Sequence, residues 1–397
     1  MASLLLPESD RFVEEVSASG HRLVLFASGG GSAAISHLAT TPGASEILLE
    51  AVVPYARSAV DELLGGPQEA YCSSRTARRL AVAAWERTRR LLEATGVEAD
   101  AAAQQAVGVA VTAGLKTRRP KRGEHRAIVA VQTSRATRVA ELVLEKDARS
   151  RAEEEAIAAW LTLSETAAAC GVPAAALEPP LRDADRIHRD CCEPPDAWQE
   201  LFTGSRSVVA GSDATAAADS LPAEGGLIFP GSFDPLHEGH LLMARIAEEI
   251  AERPLSFEIS IRNADKPPLD FLEIRNRVAQ FADRPLWLTR AATFQEKLAV
   301  FPASTFVMGA DTYARLPDPR YYGGSAAAAT RAMKAIATRA RGLIVFGRLV
   351  DGVFQDASAI EVPQVLRDVT YFVSQREFRL DISSTELRRR AAAGAEG

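Results

Sequence analysis

The sequence predicts an α/β protein of two domains, an N-terminal α/β domain and a C-terminal one built on a doubly wound, Rossmann-like sheet. Three observations carry this. The chain has 397 residues, more than one ordinary core organises, so two domains are expected. Short apolar runs alternate with helical patterns in both halves, the mark of βα units. Small and polar residues fill 204–226, from Gly204-Ser-Arg-Ser to Pro222-Ala-Glu-Gly-Gly, which reads as a linker. The expected boundaries are therefore 1–203, a linker at 204–226, and 227–397. No internal repeat relates the two halves.

In the first half, Leu23-Val-Leu-Phe26 is a buried-strand run, broken by Gly29-Gly-Gly31 and followed by a helical pattern from Ser32. Strand-like runs recur at Ala106–Thr112 and Ala127–Val131, and long Ala/Arg/Glu helices are expected at Ser74–Thr95 and Arg149–Ala169. The second half repeats the alternation, with strand-like runs at Leu227–Phe229, Phe257–Ile261, Leu286–Leu288, Thr305–Met308, Leu343–Phe346 and Val369–Val373. Helical patterns between them predict a mostly parallel sheet, whose ligands bind beyond the carboxyl ends of the strands.

Bulk properties narrow the function. The formal net charge is −6, which gives no bulk basic surface for nucleic acid. No apolar run approaches the roughly 20 residues that span a bilayer, and the first residues carry no signal-peptide pattern, so a cytoplasmic protein with no membrane partner is expected. The four cysteines, Cys72, Cys170, Cys191 and Cys192, form no Cys-x-x-Cys pair and fit no zinc spacing. No protein-held metal is expected.

The informative stretch is Phe229-Pro-Gly-Ser-Phe-Asp-Pro-Leu-His-Glu-Gly-His240. A strand ends at Gly231, a turn follows, and a helix is expected to start near Gly239, with Leu242, Ile246 and Ile250 as its apolar face. His237 and His240 are three apart at its first turn, so both imidazoles can face one side. The helix N-terminus adds free N–H groups and a positive dipole end. Together they make an anion cradle, with Gly231 expected to let the backbone approach a phosphate and Gly239 to leave room for a base or ribose.

This stretch closely resembles the His-x-Gly-His signature of the nucleotidyltransferase superfamily, and its fuller form looks most like nicotinamide- and nicotinate-mononucleotide adenylyltransferases. The resemblance implies that Gly231, Ser232, Phe233, Asp234 and Gly239 bind the nucleotide and that His237 and His240 serve the triphosphate. In that superfamily the acceptor phosphate attacks the α-phosphorus directly, with Mg²⁺ accompanying ATP. Asp381-Ile-Ser-Ser-Thr-Glu-Leu-Arg388 carries a capping box, Ser383 followed by Glu386. It resembles the superfamily's second signature, which implies a nucleotide role for Ile382, Ser383, Ser384 and Thr385 and a charged donor in Arg388. Between the two signatures, the resemblance gives Gly309 and Asp311 to the ribose and gives Lys266 and Arg275 to the triphosphate or the acceptor phosphate; Trp287 reads as a core residue, with stacking on an acceptor ring as its alternative role. The acceptor-recognition loop of the nicotinamide enzymes is not legible here.

In the first half, Ala27-Ser-Gly-Gly-Gly-Ser32 joins a strand to a helix, a turn able to bind phosphate through backbone N–H groups. From Phe12 to Ala169 the chain resembles the nicotinamide-mononucleotide amidase family, also found as the C-terminal domain of competence-damage-inducible proteins. The resemblance runs through Ser28, Thr41-Pro-Gly43, Val52-Val-Pro-Tyr55, Gly108–Thr112 and Asp147-Ala-Arg149. Ser28 matches the family's nucleophile and Tyr55 falls in its site. The acidic residue before the nucleophile is Ala27 here, and the lysine base falls on Val60. A serine without a base is a poor nucleophile, so this domain is expected to be inactive in amide hydrolysis and either to keep a nucleotide pocket or to serve as a dimerisation and regulatory domain, with homo-oligomerisation through it.

The expected function is adenylyl transfer from ATP to a nicotinamide-type mononucleotide, giving a dinucleotide and pyrophosphate. The alternatives are transfer to another phosphorylated acceptor (a sugar, alcohol or pantetheine phosphate), with ATP against CTP left open, and a non-catalytic nucleotide-sensing scaffold.

Overall fold

The computed structural model describes residues 9–119, 121–172, 181–211, 223–263, 266–350, 353–355 and 363–373. They form two compact units: Met1–Gln199 with Asp265–Glu273, and Glu200–Ala264 with Ile274–Gly397.

The first unit runs α1 (Ser9–Ala18), β1 (Arg22–Ser28), α2 (Ala33–Ala39), β2 (Leu48–Val52), α3 (Arg57–Leu64), α4 (Ser74–Ala94), α5 (Ala99–Gln105), β3 (Ala106–Gly114), β4 (His125–Gln132), β5 (Thr137–Leu144), α6 (Arg151–Ala169) and β6 (Arg186–Cys192). The six strands are ordered β2-β1-β3-β4-β5-β6. β1 lies parallel to β2 and β3, while β3 to β6 form an antiparallel meander. Alternate residues of β1, β3 and β4, among them Leu25, Val109 and Val129, bury a core with Trp160 and Leu161 of α6. Ser150 and Glu153 start α6 with a reciprocal capping box. On β3, a Cβ added at Gly108 would lie 2.0 Å from the Ala81 carbonyl oxygen, so only glycine lets α4 cross there. Within this unit Asp270 pairs with Arg78, and the Phe271 N–H donates to Thr137 Oγ1 at 2.9 Å.

The second unit begins inside α7 (Asp196–Thr203). It continues with β7 (Val208–Ala210), β8 (Leu227–Pro230), α8 (Glu238–Ala251), β9 (Leu255–Ser260), α9 (Phe271–Val278), β10 (Leu286–Thr289), α10 (Phe294–Val300), β11 (Thr305–Gly309), α11 (Ala310–Arg315), α12 (Ala326–Arg339), β12 (Gly342–Phe346), the hairpin β13 (Arg348–Val350) and β14 (Val353–Gln355), and β15 (Thr370–Val373). Its seven-stranded sheet has the order β15-β12-β11-β8-β9-β10-β7. All neighbours are parallel except β7 and β10. Chain order thus runs outward from β8 to β9 and β10 on one side, then from β11 to β12 and β15 on the other. The reversal between β8 and β11 is the topological switch point of a doubly wound sheet, where ligands bind beyond the carboxyl ends.

Two expectations change here. The stretch 204–226 contains β7, whose Val209 is 1% exposed and pairs with Leu288. Just before it, Arg290 Nη1 donates to the carbonyls of Leu201 and Phe202 at 2.7 and 2.6 Å. Residues up to Gly211 are therefore part of the second unit's fold. On α8 the fully covered residues are Gly239, Ala244 and Ala247, while Leu242, Ile246 and Ile250 are half-buried. Small side chains, not the branched stripe, take the helix's most buried face.

Candidate active site

The turn from β8 to α8 is built around Phe233. Its φ is +44°, an unfavourable backbone for a bulky residue, and its ring is 1% exposed. That ring meets Phe229, Phe257 and Phe281 edge to face, with centroids 5.3, 5.3 and 5.4 Å away, a packing that offsets the backbone cost. Phe233 was expected to touch the nucleotide; its side chain belongs to the core, leaving only its backbone for that role. Gly231 has a packing reason that the sequence did not show. A Cβ there would lie 2.5 Å from Phe233 Cζ, so the glycine makes room for this ring.

His237 is the N-cap of α8. Its ring stacks on that of His240, with centroids 3.7 Å apart and planes inclined by 22°. His240 also meets Phe233 edge-on at 5.0 Å. The His237 backbone N–H donates to His240 Nδ1 at 3.3 Å. With Nδ1 accepting, the neutral His240 ring is assigned its proton on Nε2, where it can donate to an anion. Ser232 is exposed and Asp234 half-buried in the same turn.

β11 ends beside β8, and Gly309 and Asp311 follow it. Gly309 is the N-cap of α11, and a Cβ on it would sit 2.9 Å from Asp311 Oδ1. Asp311 pairs with Arg315 at 3.2 Å. The structure thus brings His237, His240, Gly309 and Asp311 to strand ends flanking the switch point. Trp287 is not with them. It lies on β10, 5% exposed, and packs with Ile228, Phe301 and Phe306, so it offers no stacking face to an acceptor. Lys266 is exposed and belongs to the first unit's segment. Arg275 is half-buried on α9. Ile382, Ser383, Ser384, Thr385 and Arg388 lie outside the described residues.

Residues 228–390 match the family model described as cytidylyltransferase-like. The match supports nucleotidyltransferase activity in general. None of the curated proteins matches the chain. Over its N-terminal part the chain is similar to solved competence-damage proteins. That of Agrobacterium tumefaciens is 20% identical, covering 41% of this chain and 93% of its own, with a TM-score of 0.32. That of Escherichia coli is 16% identical, covering 40% and 86%, with a TM-score of 0.31. That of Enterobacter asburiae is 14% identical, covering 41% and 98%, with a TM-score of 0.32.

Two residues within the matched region escaped the sequence reading. Arg277, on α9, donates from Nη1 to the Ser232 carbonyl at 2.8 Å and pairs through Nη2 with Asp234 at 3.5 Å. Gln280 accepts the Leu236 N–H at 2.7 Å and donates to the Phe233 carbonyl at 3.2 Å. Their partners lie more than forty residues upstream (separations of 45, 44 and 47), beyond any local motif. The one sequence signal was a helical i, i+3 pair of polar residues next to an apolar face.

In the first unit, Ser28 ends β1 and its hydroxyl donates to the Pro54 carbonyl at 3.0 Å. Val60 is buried on α3 and Tyr55 is 72% exposed. At the glycine turn, Glu155 Oε1 accepts from Ser32 Oγ at 2.9 Å and from the Ala33 N–H at 3.1 Å, so a carboxylate of this chain engages the start of α2.

No helix among the described residues is long and apolar enough to cross a membrane. Those residues also hold no group of three or more His, Cys, Asp or Glu side chains suited to a metal ion. Asp234, in the histidine turn, and Asp311, at the β11 end, are both paired with arginines. They make no protein cage for Mg²⁺, which ordinarily arrives on substrate phosphates and keeps several waters.

Proposed function

We propose that the second unit transfers a nucleotidyl group from a nucleoside triphosphate to a phosphate-bearing acceptor, with ATP and a nicotinamide-type mononucleotide as the favoured pair. The observation that carries this is the stacked His237–His240 pair at the first turn of α8, beside the β8/β11 switch point. A helix N-terminus and two imidazoles at its first turn suit the charge of a triphosphate. An acceptor phosphate oxygen attacks the α-phosphorus. A new P–O bond forms, the bond from the α-phosphorus to the bridging oxygen breaks, and pyrophosphate leaves with the electron pair. Nothing in this step calls for a protein nucleophile; positioning and charge stabilisation suffice. The nicotinamide choice rests on the resemblance of Gly231–His240 to those adenylyltransferases.

The test is pyrophosphate release with ATP or CTP, Mg²⁺ and a panel of nicotinamide, nicotinate, sugar, alcohol and pantetheine phosphates. Turnover with a nicotinamide-type mononucleotide and ATP is expected. Turnover with another acceptor or CTP replaces that pairing, and binding without pyrophosphate from any pair sinks the reading in favour of a sensing scaffold.

For the first unit we propose a non-catalytic, self-associating role. The engagement of Ser28 with Pro54 and the apolar Val60 support the first half of this. Incubation with nicotinamide mononucleotide is expected to release no ammonia, and sedimentation is expected to show an oligomer. A Ser28-dependent release of ammonia would overturn the non-catalytic role.

A further inference from the structure

We propose that Arg277 and Gln280 act as one clamp that positions His240 for transfer, an inference that rests on the nucleotidyltransferase reading above. The two side chains sit three residues apart, on α9 and on the 3-10 turn Ala279–Phe281 that continues it, and so face the same way. Between them they hold four of the five residues from Ser232 to Leu236. Arg277 takes the Ser232 carbonyl and the Asp234 carboxylate; Gln280 takes the Phe233 carbonyl and the Leu236 N–H. Arg277 is 7% exposed. Its planar, rigid fork aims separate N–H groups at a carbonyl and a carboxylate, which a flexible lysine stem does not preorganise.

What the clamp holds is the support of the histidine pair. Phe233 is the residue with positive φ, and its ring lies edge-on to His240 at 5.0 Å. Leu236 immediately precedes His237, whose backbone N–H fixes the His240 ring through Nδ1. Release of the turn therefore loosens both the ring beneath His240 and the hydrogen bond that sets its tautomer. Errors of about 1 Å in such positions cost on the order of 10²-fold in rate. Arg277 and Gln280 need not touch the substrate; they are positioning residues.

The test uses the full-length protein. Arg277→Ala, Arg277→Lys, Gln280→Leu and Gln280→Glu are compared with wild type for kcat, KM for the triphosphate, Tm, and the ¹⁵N spectrum of the His240 ring. Arg277→Ala and Gln280→Leu are expected to lower kcat about 10- to 100-fold, well below their Tm, with KM changing less. The His240 ring is expected to shift from a single Nε2–H tautomer to a mixture. Arg277→Lys and Gln280→Glu, each keeping one of two interactions, are expected to recover part of both signals. If Arg277→Ala does not fold, Gln280→Leu, at a half-buried site, carries the same comparison. A fall in Tm with kcat and the His240 spectrum unchanged overturns the clamp. Absence of pyrophosphate release in wild type overturns the transferase reading instead, while the ring spectrum still decides whether Arg277 and Gln280 hold His240.

Discussion

The His237 backbone N–H donates to His240 Nδ1 at 3.3 Å while the two imidazoles stack 3.7 Å apart. One ring is thereby used twice. Its Nδ1 closes the first turn of α8, and in the proposed reaction its Nε2 is the atom that donates to the triphosphate. The structural and chemical duties of His240 fall on different atoms, which makes them separable by substitution.

The two duties predict different variants. In His240→Asn, the amide oxygen can replace Nδ1 as acceptor but no donor reaches the Nε2 position. It is expected to keep its Tm and lose about 10²-fold or more in pyrophosphate release, the usual effect of removing one preorganised donor. His240→Ala loses the cap as well, adding about 1 kcal/mol of destabilisation. Near-normal turnover in His240→Asn, measured by coupled pyrophosphate assay, rules out the Nε2 role.

Gly231→Ala tests the ring beneath the site. The added methyl would meet Phe233 Cζ at 2.5 Å, in a cluster already filled by Phe229, Phe257 and Phe281. Overpacking of this kind costs about 1–3 kcal/mol, and the displaced ring is the one that supports His240. A lowered denaturation midpoint with a parallel loss of turnover is expected. A variant that keeps its stability but loses nucleotide affinity would favour the phosphate-approach role for Gly231.

Most of the strands legible in the sequence are buried on both faces, the edge strand β15 being an exception. β3, β4, β11 and β12 read as continuous apolar runs because helices or loops cover both sides. The missed ones differ physically. β2 is an edge strand whose residues are all half-buried, and β6, Arg186-Ile-His-Arg-Asp-Cys-Cys192, is a largely polar edge of the kind that guards a sheet against further pairing. β7 is three residues long within a stretch of small residues. At the site, His237 and His240 were legible because one helical turn brings them together. Arg277 and Gln280 were not, since only the β8–β9 crossover and the helix after it bring them to the turn. Trp287 left two readings open, since an aromatic side chain in sequence does not reveal which face of its strand is covered; its place in the core takes the first of them.

Asp185 gives a pH prediction in the first unit. Burial alone would raise its pKa, but Arg149 at 2.5 Å and the backbone N–H groups of Arg182 and Glu145, both at 2.7 Å, hold it below the ordinary value. A depressed folded-state pKa stabilises the fold above the unfolded value, about 3.9, and that contribution is lost as pH falls from there through the folded value. Asp185→Asn is therefore expected to cost about 1–3 kcal/mol at neutral pH, measured by urea unfolding. The gap to wild type should narrow below about pH 4. A gap that stays constant down to pH 3 contradicts the ion-pair account.

Val209 decides between a linker and a strand for the residues just after α7. In a linker its side chain would be solvated, and Val209→Asp would change stability by no more than about 0.5 kcal/mol. In the structure Val209 is 1% exposed and opposes Leu288. Flanking bonds fix that register, from the Gly211 N–H to the Leu286 carbonyl at 2.7 Å and from the Arg290 N–H to the Ser207 carbonyl at 3.0 Å. An aspartate there has no basic partner across the ladder, so its carboxylate is either buried without compensation or forces β7 off the sheet edge. Mutational data put such a cost above about 3 kcal/mol. Val209→Thr, which keeps the branched shape and can bond its hydroxyl locally, should lose much less. The check is a thermal melt of the full-length protein with the two variants side by side. A melt of Val209→Asp indistinguishable from wild type would return residues 204–211 to the linker.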